Sequence, residues 1–196
     1  ATPQDVLHAL KLQADAPRRF EVRYFDFQPP ADVPPGLDAI LRQRVSGGVT
    51  ELTFKLRGHA PLPPQPTLED WSCPLGATNE RKDEVDVGFA SAGRVLKAWS
   101  RSCSVETHDA ALQPPPALRA RLKGCNSTMT RLTAGHLKIE QWQQADGTTL
   151  IEASRPGHDT KASTRSFERE VLAPLLALQV QPLERSKSAI GGDCAR

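Results

Sequence analysis

From Leu41 to Gly58 the chain reads LRQRVSGGVTELTFKLRG, and this stretch restricts the fold more than any other. Leu52, Phe54 and Leu56 recur at every second residue, with Glu51, Thr53, Lys55 and Arg57 between them. Side chains alternate across a strand, so this pattern makes one apolar face and one charged face. Arg42 and Arg44 share a side of the preceding run, and Ser46-Gly47-Gly48 joins the two runs. Paired glycines accept the positive φ that a tight hairpin bend requires. A chain built on such a hairpin is a sheet protein whose strands carry a charged side. That side is either an ordinary wet face or, if the sheet closes far enough, the lining of a hydrated interior. The residues alone leave both placements open.

Other segments repeat the pattern. RRFEVRYFDF (18–27) reads as a strand of aromatic and β-branched residues, and DEVDVGF (83–89) alternates Glu84 and Asp86 against Val85 and Val87. RVLKAWSRSCSVE (94–106) is extended, with Lys97, Trp99 and Arg101 on one side. HLKIEQWQQADGTTLIEASRPG (136–157) forms a second hairpin about Asp146-Gly147, carrying Lys138 and Glu140 on one arm and Glu152 on the other. The spacing of Val6, Leu7, Leu10 and Leu12 predicts a short amphipathic helix near the start. QPPPALRARLKG (113–124) reads as a helix opening on prolines and ending at Gly124. A last helix has Phe167, Val171, Leu175 and Leu178 on one stripe, with Pro174 expected to kink or split it.

About seven extended runs, hairpin connections and a few helices make an α+β fold. The expected architecture is an antiparallel β-barrel or strongly curved sheet of about seven or eight strands, with helices packed outside. No domain linker interrupts the 196 residues, so residues 1–196 read as one domain. The net charge of +2, with acids and bases intermixed, excludes a general nucleic-acid binder. No run of eighteen apolar residues appears, so no helix-type membrane span is expected.

Cys73, Cys103, Cys125 and Cys194 lack the close spacing of zinc or redox motifs. Their even number suits two disulfides, one tying down the polar tail IGGDCAR; four free thiols are the alternative, since spacing does not settle pairing. The small opening residues ATPQ suit processing after an export leader, or a trimmed start. Together these features point to a secreted or periplasmic location. The five histidines are scattered, no Gly-rich phosphate loop occurs, and the serines lack a nucleophile elbow.

Three short motifs in order carry a family resemblance: Tyr24-Phe25-Asp26 at a strand end, then Arg42 and Arg44, then Thr53 with Lys55. With the late hairpin, this order resembles the CYTH superfamily, the triphosphate tunnel metalloenzymes, over the span from Arg18 to Leu178. The Glu-x-Glu-x-Lys strand that opens those enzymes has no counterpart before Arg18. The resemblance implies an antiparallel barrel around a polar tunnel, with cations gripping phosphates and carboxylates holding magnesium or manganese. The candidate anion-binding residues are Arg42, Arg44, Lys55, Arg57, Arg101 and Lys138; the candidate metal ligands are Glu84, Asp86, Glu140 and Glu152. The expected ligand is an anionic small molecule or a polyphosphate-like chain. Any activity would be that of a metal-dependent triphosphatase-like phosphohydrolase, in degenerate form. The rival expectation is a non-catalytic, disulfide-stapled β-rich domain that meets a protein partner through its surface.

Overall fold

In the computed structural model the described residues are 1–59, 72–76, 78–90, 94–109 and 112–183. Eight antiparallel strands form one curled sheet, a half-barrel: β1 Arg18–Asp26, β2 Asp38–Ser46, β3 Val49–Gly58, β4 Glu80–Phe89, β5 Val95–Thr107, β6 Arg121–Ala134, β7 Leu137–Gln143 and β8 Thr149–Ser154. Their order across the sheet is β4-β5-β3-β2-β1-β6-β7-β8. The expected α+β class with a strongly curved sheet is therefore what the chain adopts. Among the described residues no helix is long and apolar enough to cross a membrane.

The two hairpins follow from their turn residues. Ser46 pairs with Val49, so Gly47 and Gly48 alone make the β2–β3 bend, at φ 57° and 77°. A side chain at either position would be strained there. The β7–β8 turn is one residue longer than a two-residue bend. Gly147 N–H donates to the Gln144 carbonyl, Gln144 N–H donates to the Thr148 carbonyl, and Gly147 takes φ 85°. This is the three-residue loop with a left-handed glycine at its end.

Two expectations are corrected. Residues 113–124 do not form a helix: only a single 3-10 turn, Pro116–Leu118, is present, and Gly124 lies inside β6. Arg121 and Leu122 pair with Asp26 and Phe25 of β1, and this ladder outweighs the helical leanings of ALRARLKG. The register of β1 against β6 shifts between Arg23 and Phe25, which accommodates extra β6 residues beside Gly124. The first helix, α1 Pro3–Leu10, ends before Leu12, which is exposed. Its start is set by Thr2 and Asp5, which cap each other's backbone N–H groups.

The outward face of the sheet is the apolar one. Leu41, Leu52, Phe54, Leu56 and Cys103 pack beneath Cys73, Leu75, Leu118 and residues of the 27–37 segment. On the other half, Leu132, Leu137, Ile139, Ile151 and Ala153 pack beneath α1 and the C-terminal helical segment. That segment runs as α2 Lys161–Phe167, a π turn Glu168–Leu172, and α3 Ala173–Leu176. Pro174 has no N–H to offer the carbonyl one turn back, and the ladder slips to the wider π spacing just before it. Phe167, Val171 and Leu175 face the sheet as the stripe requires, whereas Leu178 is exposed.

The helical segment also links the two ends of the sheet. Phe167 joins the same apolar cluster as the β8 residues Ile151 and Ala153, lies beneath the guanidinium of Arg155 just past β8, and stacks on Phe89 of β4 with ring centroids 5.8 Å apart. Lys97 of β5 donates to Asp159 at 2.7 Å, just ahead of α2. The segment therefore spans the gap between β4 and β8 from outside, which leaves the second face of the sheet on the inside.

Cys73 and Cys103 are disulfide-bonded, Cys125 is also in a disulfide, and no described cysteine is free. The expected tie to the tail at Cys194 lies outside the described residues. Cys103 is buried in the outer core and its bond fixes the 72–76 segment over β5. Replacing Cys103 by Ser should therefore lower unfolding stability by roughly 2–4 kcal/mol, read from denaturant titration under non-reducing conditions.

A second clamp involves the exposed Glu170 carboxylate, which accepts hydrogen bonds from Arg155, Ser166 and Arg169. These partners, Arg155 first, lower its pKa from the ordinary 4.5 to about 2. A depressed carboxyl pKa stabilises the fold above the ordinary value, and that contribution is lost as pH falls through the folded value. Glu170→Gln should flatten the stability profile between pH 4.5 and about 2, measured by urea unfolding at stepped pH.

Candidate functional site

The strand pairings fix which charges meet. Tyr24 of β1 lies opposite Arg42 of β2, Arg42 opposite Thr53 of β3, and Thr53 opposite Ser104 of β5. Arg44 lies opposite Val22 and Glu51. Following this register, the inner face carries Arg42, Arg44, Lys55 and Arg57 together, with Glu84 and Asp86 on β4 and Lys138, Glu140 and Glu152 on β7 and β8. The cation row of the first hairpin thus faces inward, beside carboxylates from both ends of the sheet.

Arg101 is the exception among the candidate residues. It lies opposite Leu56, on the outer face, where its guanidinium grips both Asp83 carboxylate oxygens at 2.7 and 2.8 Å. That hydrogen-bonded fork, together with the Asp83 charge, raises the pKa of Arg101. Arg101 is a structural ion-pair residue, because its odd spacing from Ser100 and Ser102 turns it away from the hollow. Glu21 and Arg23 also face outward and pair with each other at 3.1 Å. Lys138 shares the inner face but lies exposed at its end.

A feature not read from the sequence lets the two sides of the hollow touch. β5 lies between β3 and β4, yet Lys55 of β3 reaches Glu84 at 3.5 Å and Asp86 at 3.8 Å on β4, and Arg57 reaches Asp86 at 3.4 Å. The inward residues of β5 from 98 to 104 are Ala98, Ser100, Ser102 and Ser104. These short side chains leave room for β3 cations to cross the strand. The every-second-residue run of small residues in AWSRSCS was the available signal.

The opposite half of the inner face is apolar at its base. Phe20, Val22, Tyr24, Met129 and Trp142 form a buried cluster with Ile40 and Leu150. Guanidiniums lie over it: Arg44 is 5.9 Å from the Trp142 ring centroid and Arg131 is 5.0 Å from that of Phe20. Arg131, which the sequence reading did not single out, holds Glu140 at 2.7 Å; Glu140 is buried and also accepts from Trp142 Nε1 at 3.1 Å.

Charge matching on this face is uneven. Lys55, Arg57 and Arg131 each have carboxylates at salt-bridge distance, and Arg44 meets Glu51 only at 4.0 Å. Arg42 has no ion pair among the described residues. The Nε atoms of Arg42 and Arg44 and the Tyr24 hydroxyl are buried without a hydrogen-bond partner, as is the Ser100 hydroxyl farther along the face. Leaving such a group unmatched costs about 1–3 kcal/mol each. Burial, followed by the positive charge of Arg42, lowers the Arg44 pKa to about 10 despite Glu51 and Glu140. Burial also lowers the pKa of Lys55, against the pull of Asp86 and Glu84.

For magnesium or manganese the donors do not fit. Glu84 and Asp86 are held by Lys55 and Arg57, Glu140 is held by Arg131, and no three His, Cys, Asp or Glu side chains gather among the described residues. A hard cation would have to displace internal cations from these carboxylates.

No protein-family model matches the chain, and no curated protein matches it. Solved structures that share the fold include two that match nearly the whole chain. One is the PH1819 protein from Pyrococcus horikoshii OT3, with 11% identity, a TM-score of 0.50, and coverage of 96% of this chain and 92% of that one. The other is a conserved hypothetical protein from Pyrococcus furiosus, with 12% identity, a TM-score of 0.50, and coverage of 95% and 93%. Both likenesses extend over nearly the full length of each chain, and they concern the fold alone.

The contrast between paired and unpaired charges gives a direct test. Glu140→Gln should cost about 3 kcal/mol, because it strands a largely buried guanidinium. Arg42→Gln should leave the unfolding free energy unchanged or higher, since it removes a cation that repels Arg44. Denaturant titration of the two variants beside the parent chain measures both effects.

Proposed function

We propose that this chain is a CYTH-like half-barrel that binds an anionic, phosphate-bearing small molecule on its inner face, with Arg42 and Arg44 as anchors. The observation that carries this reading is the state of Arg42: its Nε is buried without a partner, and it has no carboxylate within salt-bridge distance among the described residues. Arg42 is half-buried, and a partly desolvated cation without a counter-charge gains from a bound anion. Guanidinium forks match the oxygens of a phosphate in pairs. Tyr24, opposite Arg42, adds a hydroxyl with unused hydrogen-bonding capacity.

The reading is one of binding rather than turnover, because Glu84, Asp86 and Glu140, three of the four carboxylates that hydrolysis would use to fix a metal, are engaged by Lys55, Arg57 and Arg131. The disulfides support a site of action in an oxidising compartment, secreted or periplasmic.

Thermal unfolding with added phosphate or tripolyphosphate tests the proposal. A rise in Tm with ligand concentration that is lost in Arg42→Gln is the expected result, with an anchor worth about 1.5–3 kcal/mol of binding. Equal shifts in parent and variant would overturn the assignment of Arg42. Phosphate release from tripolyphosphate with magnesium or manganese would replace the binder with a phosphohydrolase. No shift with any anion would favour a domain that works through protein contacts.

A further inference from the structure

Taking the anion-binding reading above as its basis, the geometry points to a ligand with one compact oxyanion head, a single phosphate or sulfate group, in place of a phosphate chain. The inner face has many cations, but the count of free ones is small. Lys55 and Arg57 are occupied by Glu84 and Asp86, and Arg131 by Glu140. Arg18 and Lys138, also without a salt bridge among the described residues, lie exposed at the end of the face, so Arg42, and Arg44 with only its 4.0 Å approach to Glu51, are the cations left to meet a ligand within the hollow. They are two residues apart on β2, on the same face, with Tyr24 across the ladder from Arg42. One tetrahedral dianion placed between them uses both guanidiniums and relieves their mutual repulsion.

Along β2 or across to β3 a longer polyanion does not gain further cations by extending. Toward Arg44 it meets Glu51 on β3. Toward Lys55 it meets the two β4 carboxylates that already hold that lysine at 3.5 and 3.8 Å. Each further phosphate would have to break an internal ion pair and then sit beside the released carboxylate. Like charges at that range disfavour binding as strongly as the new contact favours it. The carboxylates therefore act as a length filter on the anion. The unpartnered hydroxyl of Ser100, opposite Arg57 and Glu84, suits a neutral hydrogen-bonding portion of the ligand there.

Isothermal titration of the full chain, disulfides intact and ionic strength held constant, decides the matter with inorganic phosphate, sulfate and tripolyphosphate as the ligands. Tripolyphosphate should bind within about threefold of phosphate, and Arg42→Gln should weaken both by about tenfold or more. Comparison of phosphate with sulfate identifies which head group is preferred. In Glu84→Gln/Asp86→Asn, Lys55 and Arg57 are released, and the preference for tripolyphosphate over phosphate should rise by about tenfold or more. A parent chain that already prefers tripolyphosphate by more than about tenfold overturns the single-head inference and leaves anion binding intact. Absence of binding to all three anions overturns both. Arg42→Lys, which keeps the charge and loses the fork, should fall between parent and Arg42→Gln, and far-UV circular dichroism confirms that each variant is folded.

Discussion

The structure depends on the two-sidedness of β3. Leu52, Phe54 and Leu56 are buried on one side, beneath the segments stapled there by Cys73–Cys103. Because the period of a strand is two, burying those three residues forces Thr53, Lys55 and Arg57 to the other side together. Once the apolar side lies outward beneath loops and helices, the curl of the sheet encloses the charged side. The hollow is therefore a consequence of where the oily face found cover. Its charges then had to be neutralised locally, and most of them are.

That neutralisation separates scaffold from site. Arg131 with Glu140, and Lys55 and Arg57 with Glu84 and Asp86, hold the curl by joining strands that share no ladder or by filling the base of the face. Such pairs gain little net stability when buried but are expensive to break singly. Arg42 and Arg44 do not belong to that scheme. Their placement beside each other over an aromatic base raises the electrostatic cost of the empty protein, which is the arrangement a binding site requires and a structural core does not.

The sheet architecture, and the sharing of a side by Arg42 with Arg44 and by Lys55 with Arg57, were legible in the sequence, because alternation and glycine turns are local signals; that this side turns inward was left open until the curl of the sheet was known. Three further features were not legible. The start of β6 was obscured because ALRARLKG has helical composition and its strand part is imposed by pairing with β1, which is remote in sequence. Arg101 seemed to join the cation group because its neighbours on the same strand do not reveal which side a single residue takes until register is fixed by Leu56. The exchange of contacts between β3 and β4 required knowing that β5 intervenes and that its inward residues are small, which is a fact of strand order. Ion-pair partners in general belong to this last class, since they depend on residues remote in sequence.

The seam between β4 and β8 differs from every other junction in the sheet. Seven strand junctions are set by backbone ladders with fixed register. The seam is held instead through the stacked rings of Phe89 and Phe167 and the Lys97–Asp159 pair. Ring faces and ion pairs tolerate sliding that a hydrogen-bonded ladder forbids. Beside the ion pairs that cross the hollow, side-chain size at this seam therefore bears on the girth of the half-barrel, so substitutions there would retune the hollow's width while every strand keeps its partner.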